Sequence, residues 1–157
     1  MLRFFFIFVC LLISYGMQAQ SNYIAKSEIE NVVYEIKYNK HVVTNQKIWG
    51  EYFPFDKKID LGIISFSKSV KIPFTKVILK NKTYTFSIIP KEYGDWKIIF
   101  TSESAEEIVY YASPFKLFNT NSETLLFYIE EPEPINGMAF IRLIGNDTQI
   151  SFYLEPV

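Results

Sequence analysis

Thr83-Tyr84-Thr85-Phe86-Ser87-Ile88-Ile89-Pro90 is the stretch on which the fold turns. Large apolar side chains at 84, 86 and 88 alternate with hydroxyls at 83, 85 and 87, and a proline closes the run. A period of two places every second side chain on one face of an extended chain, so one face is apolar and the other polar. A helix would need apolar spacings of three and four. Proline has no amide hydrogen for a ladder and is tolerated only at strand ends and edges. The stretch predicts a half-buried strand that stops at Pro90.

The same pattern recurs on both sides of it. Val32, Tyr34, Ile36 and Tyr38 share a face opposite Glu35 and Lys37, and Trp96, Ile98 and Phe100 alternate with Lys97, Ile99 and Thr101. Leu125, Phe127 and Ile129 make a further stripe, and Ile150, Phe152 and Leu154 the last. Between them lie turn signals. Lys80-Asn81-Lys82 reads as a hairpin, and Gly145-Asn146-Asp147 more strongly so, because Gly and Asn accept positive φ at little cost. Glu131-Pro132-Glu133-Pro134 reads as an extended, exposed linker. Residues 102–107 carry Ser104 and Glu107 at capping-box spacing and predict one or two helical turns. An aromatic share of 18% suits pleated sheet better than helix. Together these predict an all-β fold: a single antiparallel β-sandwich of about eight to nine strands with at most one short helical turn. Residues 20–157 form its one domain.

The N-terminus reads differently. Arg3 precedes an apolar run at residues 4–13, which is far short of the ~20 residues a membrane-spanning helix needs. Small and polar residues follow, with Ala19 placed for the position before a cleavage site. Residues 1–19 are therefore expected to be a signal peptide, with export to the periplasm or outside the cell. Cys10, the chain's single cysteine, lies inside the apolar run rather than at a lipid-attachment position. Cleavage would leave a cysteine-free mature domain with no membrane span, resting on its core rather than on disulfides.

Charge narrows the partners. The chain has 16 Lys and Arg against 17 Asp and Glu; loss of Arg3 leaves 15 against 17, a net charge of −2. Arg142 is then the single arginine, whereas nucleic-acid binding calls for a basic surplus and arginine clusters. Nucleic acid is excluded as a partner on this ground.

Few residue groups could carry chemistry. His41 is the only histidine, so zinc or copper coordination lacks the ligand set it needs; it reads as a solvated turn residue. Ser65 follows Gly62-Ile63-Ile64 without the second glycine of a nucleophile elbow and reads as a strand residue. Glu130, Glu131 and Glu133 could hold calcium with backbone carbonyls, but a charged, exposed proline loop is the better account of them. Arg142 interrupts the face made with Phe140 and Ile144, either buried and paired or half-wet. Tyr52, Phe53 and Phe55 cluster around Pro54, and Tyr93 and Trp96 flank Gly94; core packing accounts for most rings in so aromatic a chain, but those left exposed could stack on sugars. No catalytic residue, cofactor or metal ligand is assigned.

The order of several motifs resembles the DUF2911 family, small exported proteins of unknown function found mainly in Bacteroidota. Tyr38 is followed by Lys47-Ile48-Trp49-Gly50 and Pro54, then Phe66-Ser67 and Val70, then the Thr83–Pro90 stretch quoted above. Asp95-Trp96-Lys97-Ile98-Ile99-Phe100 and Pro132-Glu133-Pro134 complete the series. The resemblance runs from residue 32 onward and implies a compartment and a β fold, but no reaction. Relatives usually carry a Trp-Arg-x-Gly-Ala-Asn-Glu segment where this chain has Lys58-Ile59-Asp60-Leu61-Gly62-Ile63-Ile64-Ser65. Lys58, Asp60 and Ser65 are its only polar side chains, so this member is expected not to bind what full-signature relatives bind.

The expectation for function is an exported, non-enzymatic binding or interaction module, with a glycan or an envelope protein as partner. The alternatives are a carboxylate-based enzyme acting on carbohydrate or envelope material, and a structural envelope subunit pairing through an edge strand.

Overall fold

A computed structural model describes residues 22–118, 121–132 and 137–157. The proposed signal peptide lies outside the described residues, as do Glu133 and Pro134 of the proline linker.

The chain is all-β, built as two six-stranded antiparallel sheets packed on one core. The first sheet has the order β1-β2-β3-β6-β7-β8. Its strands are β1 (Asn22–Ile29), β2 (Val32–Asn39), β3 (Ile59–Phe66), β6 (Thr83–Ile89), β7 (Trp96–Ser102) and β8 (Glu107–Ala112). The second runs β10-β11-β12-β4-β5, with β9 also paired to β12. Here β4 is Val70–Lys71, β5 Ile78–Leu79, β9 Phe115–Lys116, β10 Ser122–Glu130, β11 Ala139–Asn146 and β12 Thr148–Pro156.

The alternating stripes become the facing walls. Tyr84, Phe86 and Ile88 of β6 are all buried, as are Ile150, Phe152 and Leu154 of β12. Phe86 is the junction of the two layers. Its ring stacks on Phe152 at 5.9 Å and meets Phe127 of β10 edge-on at 5.6 Å and Phe100 of β7 at 5.7 Å. Offset and edge-on pairs of this kind add to the burial that drives the layers together.

Among the described residues, twelve strands replace the expected eight to nine. The surplus is β1, β4, β5 and β9. Three of these are two residues long, too short to show a period, and β1 is an edge strand with Lys26 and Glu28 on its exposed face. The reversal from β1 to β2 is made by Glu30 and Asn31, both at positive φ, the primed turn that suits strand twist.

Two turn readings are corrected. No helical turn occurs among the described residues; residues 103–106 are the loop of the β7–β8 hairpin. The Ser102 N–H donates to the Glu106 carbonyl, and Ser102 Oγ accepts from the Glu106 N–H. Pairing of Thr101 with Glu107 closes this loop before a helix could form. Lys80-Asn81-Lys82 is not a hairpin either, because β5 lies in the second sheet and β6 in the first. It is a corner between layers, held by Tyr84 Oη accepting from the Lys80 N–H at 2.9 Å. The Gly145-Asn146-Asp147 hairpin is present, with Gly145 opposite Thr148 and Asn146 at positive φ.

The expectation of a cysteine-free domain is corrected as well: the chain carries Cys10, which lies outside the described residues. A single cysteine leaves no disulfide partner within the chain. Among the described residues, no helix is long and apolar enough to cross a membrane.

One buried polar atom in the first sheet gives a test of this core. Tyr34 of β2 is fully buried and its hydroxyl has no hydrogen-bond partner; burial pushes its pKa up to about 12. An unsatisfied buried hydroxyl is destabilising, so Tyr34→Phe is expected to raise stability by about 1 kcal/mol. Because the folded-state pKa is raised, the neutral phenol contributes stability that is complete below pH ~10. That stability is lost as pH rises towards 12. Urea melts from pH 8 to 11 should show Tyr34→Phe losing less stability than the wild type. Burial raises Tyr38 and Tyr84 in the same direction, so part of the alkaline loss remains in the variant.

Candidate functional site

The connection from β2 to β3 builds a concavity. After Asn39 the chain leaves the first sheet and pairs with the start of β10: the Val43 N–H donates to the Glu123 carbonyl and the Leu125 N–H to the His41 carbonyl. It then crosses to the β11–β12 turn, where the Ile48 N–H donates to Asn146 Oδ1. Trp49 docks there, its indole Nε1 donating to the Gly145 carbonyl at 3.0 Å. Gly145 is what allows this approach, since a Cβ there would stand 3.0 Å from the Trp49 indole nitrogen. Trp96, at the start of β7, meets Trp49 edge-on at 4.8 Å and donates its own Nε1–H to the Lys91 carbonyl at 2.9 Å. Trp49, the single-residue bridge to Phe53 and the buried Phe53 ring fix the loop from beneath.

Above this floor opens a cleft of about 1290 Å³ at one end of the sandwich. Phe55 and Phe115 contribute rings to its walls, and Phe115 is 46% exposed. The rim is polar: the amides of Asn45, Gln46, Asn121 and Asn146, the lysines 47, 91 and 116, and the carboxylates of Glu51, Glu92, Glu123 and Asp147. Several of these charges are already engaged. Lys116 Nζ bonds Asp147 Oδ1 at 2.6 Å and Thr148 Oγ1 at 2.9 Å, and Glu51 Oε2 accepts from the Lys47 N–H at 3.0 Å. The Lys116 hydrogen bond holds the Asp147 carboxyl below the usual carboxylate range, with coulombic attraction to the same ammonium adding to it. That direction suits a fixed acceptor, whereas a general acid near neutral pH needs the opposite shift.

The residues singled out in the sequence fall unevenly around this cleft. Trp96 forms its floor and Phe55 its wall, while Tyr93 and Tyr52 are exposed and absent from the lining. His41 is not a solvated turn residue. It is half-buried against Phe53, ring centroids 5.0 Å apart, with Nδ1 3.3 Å from the Tyr52 hydroxyl, and burial lowers its pKa. Ser65 lies on β3 opposite Glu35 and Thr83, remote from any histidine contact. Asp60 accepts from Ser87 Oγ at 2.6 Å and Lys58 pairs with Glu107, so the polar side chains of residues 58–60 are engaged within the fold.

Arg142 is half-buried on the outward face of β11. It pairs with Glu130, lies over the Tyr128 ring at 5.1 Å, and has its Nε buried without a partner. Glu131 caps the Gly137 N–H at 2.8 Å, so Glu130 and Glu131 are engaged within the protein and Glu133 lies outside the described residues. Among the described residues, no cluster of three His, Cys, Asp or Glu side chains is placed to hold a metal ion.

Sequence reasoning did not find Phe115, Lys116, Asn45 or Gln46. They come from a two-residue strand and from an irregular loop, which carry no periodic signal, and only the fold brings them together.

No family model, curated protein or solved structure matches this chain.

Proposed function

We propose that this chain is an exported, non-enzymatic binding module that takes a saccharide in the cleft at the Trp49–Trp96 end of the sandwich. The observation that carries this reading is the lining itself. A half-exposed phenylalanine ring lies in a cleft whose rim carries amide, lysine and carboxylate side chains. A sugar ring offers an apolar face of C–H groups and an edge of hydroxyls, each able to donate and to accept. Phe115 matches the face, and Asn45, Gln46, Asn121 and Asn146 match the edge. A cleft lined this way needs little rearrangement on binding, because both tryptophan N–H groups are already held by backbone carbonyls.

Kinship with the DUF2911 family belongs to the same proposal. In its support, two of the motifs that carry the resemblance converge here: Trp49 of Lys-Ile-Trp-Gly and Trp96 of Asp-Trp-Lys-Ile-Ile-Phe form one floor. Export rests on the N-terminal pattern, and its signature is a mature protein beginning at or near Gln20. Recovery of a chain still starting at Met1 from the native compartment overturns it.

The binding reading is tested by a thermal-shift screen against neutral and acidic polysaccharides, repeated on Phe115→Ala. At least one polysaccharide is expected to raise the melting temperature. The variant should bind it about tenfold more weakly, as expected when one stacking ring is lost. A ligand that stabilises wild type and variant equally places binding elsewhere.

A further inference from the structure

The hairpin between β4 and β5 presents an oddity that neither packing nor the cleft explains. Ile72-Pro73-Phe74-Thr75 has the hydrogen bond of a β-turn, with the Thr75 N–H donating to the Ile72 carbonyl, and Phe74 in its third position has a φ of 62°. That position, with proline before it, is the type II arrangement, which calls for glycine or asparagine. Elsewhere in the chain positive φ is taken by Glu30 and Ala105, and by Asn31, Asn45, Asp56 and Asn146, whose short polar side chains tolerate it. A phenylalanine does not, and nothing repays the strain locally, because Phe74 is 104% exposed. Backbone strain held at an exposed large apolar side chain is a mark of function rather than of folding.

The surroundings say what the ring meets. Between Asp60 and Glu92 the chain carries six lysines and no carboxylate, whereas the rest of the chain is acidic. Lys71 pairs with Glu155 and Lys91 with Asp56, while Lys68, Lys76, Lys80 and Lys82 make no ion pair among the described residues. Ile78, opposite Lys71 in the hairpin, is itself half exposed. The feature is thus a protruding tip with one ring at its apex, a second apolar side chain behind it and Lys71 and Lys76 on its two arms. A convex tip of that kind fits a deformable anionic surface, which accepts the ring among acyl chains and the ammonium groups among headgroups.

We propose that the Phe74 hairpin is a membrane-contact element that inserts its ring into an anionic lipid surface.

The test places a reporter at the tip of the full-length chain. Phe74→Trp emission is measured after subtracting the wild-type signal of Trp49 and Trp96. The vesicles are phosphatidylcholine alone or phosphatidylcholine with phosphatidylglycerol, each with and without brominated acyl chains. The expected result is a shift to shorter wavelength and quenching by bromine on the anionic vesicles only, both weakened by Lys76→Glu. In parallel, Phe74→Gly should melt higher than wild type, because glycine relieves the strained turn. Emission from the Phe74→Trp variant that stays unshifted on anionic vesicles, or shifts equally on both kinds, overturns the proposal. So does a shift produced only by polyglutamate, which would mark an acidic protein partner, and so does a lower melting temperature for Phe74→Gly, which would make the ring structural.

Discussion

Replacing Phe86 with alanine is expected to lower stability by about 3–5 kcal/mol, the range for deleting a fully buried aromatic ring. Phe86 is fully buried and touches rings from both layers: Phe100 in its own sheet, Phe127 and Phe152 in the other. Its loss leaves a void between two sheets whose backbones cannot close on it, since each is held by its own ladders. A shift of roughly 2–4 °C per kcal/mol for a chain of this size implies a melting temperature lower by about 6–20 °C. Phe86→Leu, which refills most of the volume, should recover over half of the loss. Urea denaturation of the three proteins, compared at equal m-value, decides the point. A loss near 1 kcal/mol for Phe86→Ala would mean that the layers do not depend on this junction.

The second large effect comes from the smallest side chain. Gly62 sits in β3, between Tyr38 of β2 and Phe86 of β6, where the β3–β6 register shifts. A Cβ at this position would stand 2.1 Å from the Lys37 carbonyl oxygen and 2.9 Å from the Tyr38 Cα. Both are backbone atoms of a neighbouring strand, so no rotamer change relieves the clash, and the β2–β3 ladder would have to part. Gly62→Ala is expected to cost about 3 kcal/mol or more, at the upper end for overpacking. Ile63→Thr, one residue along on the exposed face, should change stability by about 0.5 kcal/mol or less. Equal stability of Gly62→Ala and wild type by chemical denaturation would contradict the close approach of β2 to β3.

How much of this is legible in the sequence follows from the physics of each element. β2, β6, β7, β10 and β12 are half-buried strands of seven to nine residues, long enough for burial to impose a period of two on the side chains. β1 is an edge strand whose outward positions hold Ile24, Lys26 and Glu28, so its pattern is diluted by a face that nothing covers. β4 and β9 exist because β12 offers them an edge, and β5 because β4 does, which are tertiary facts. Ser104 and Glu107 have the spacing of a capping box, but long-range pairing of β7 with β8 overrides that local preference. The aromatic cluster around Pro54 and the Trp96 ring point towards the right end of the molecule. His41 reads as solvated in the sequence because its burial depends on Phe53 and Tyr52 folding over it, and no local signal encodes that. The cleft rim draws on residues 45–51, 91–92, 115–117, 121–123 and 146–148, five segments that the crossover from β2 to β10 gathers into one place.

The proposed ligand site lies over the Trp49–Trp96 floor, where the two tryptophans are placed to report on it. They are the only tryptophans in the chain, so a nitrogen–proton correlation spectrum contains two indole signals. Each arises from an N–H held by a cleft-side carbonyl, Gly145 for Trp49 and Lys91 for Trp96. Titration with the oligosaccharide that stabilises the fold should move both indole signals along one saturating curve, with the same curve displaced about tenfold to higher concentration in Phe115→Ala. Two indole signals that stay fixed while backbone amides elsewhere respond would contradict the claim.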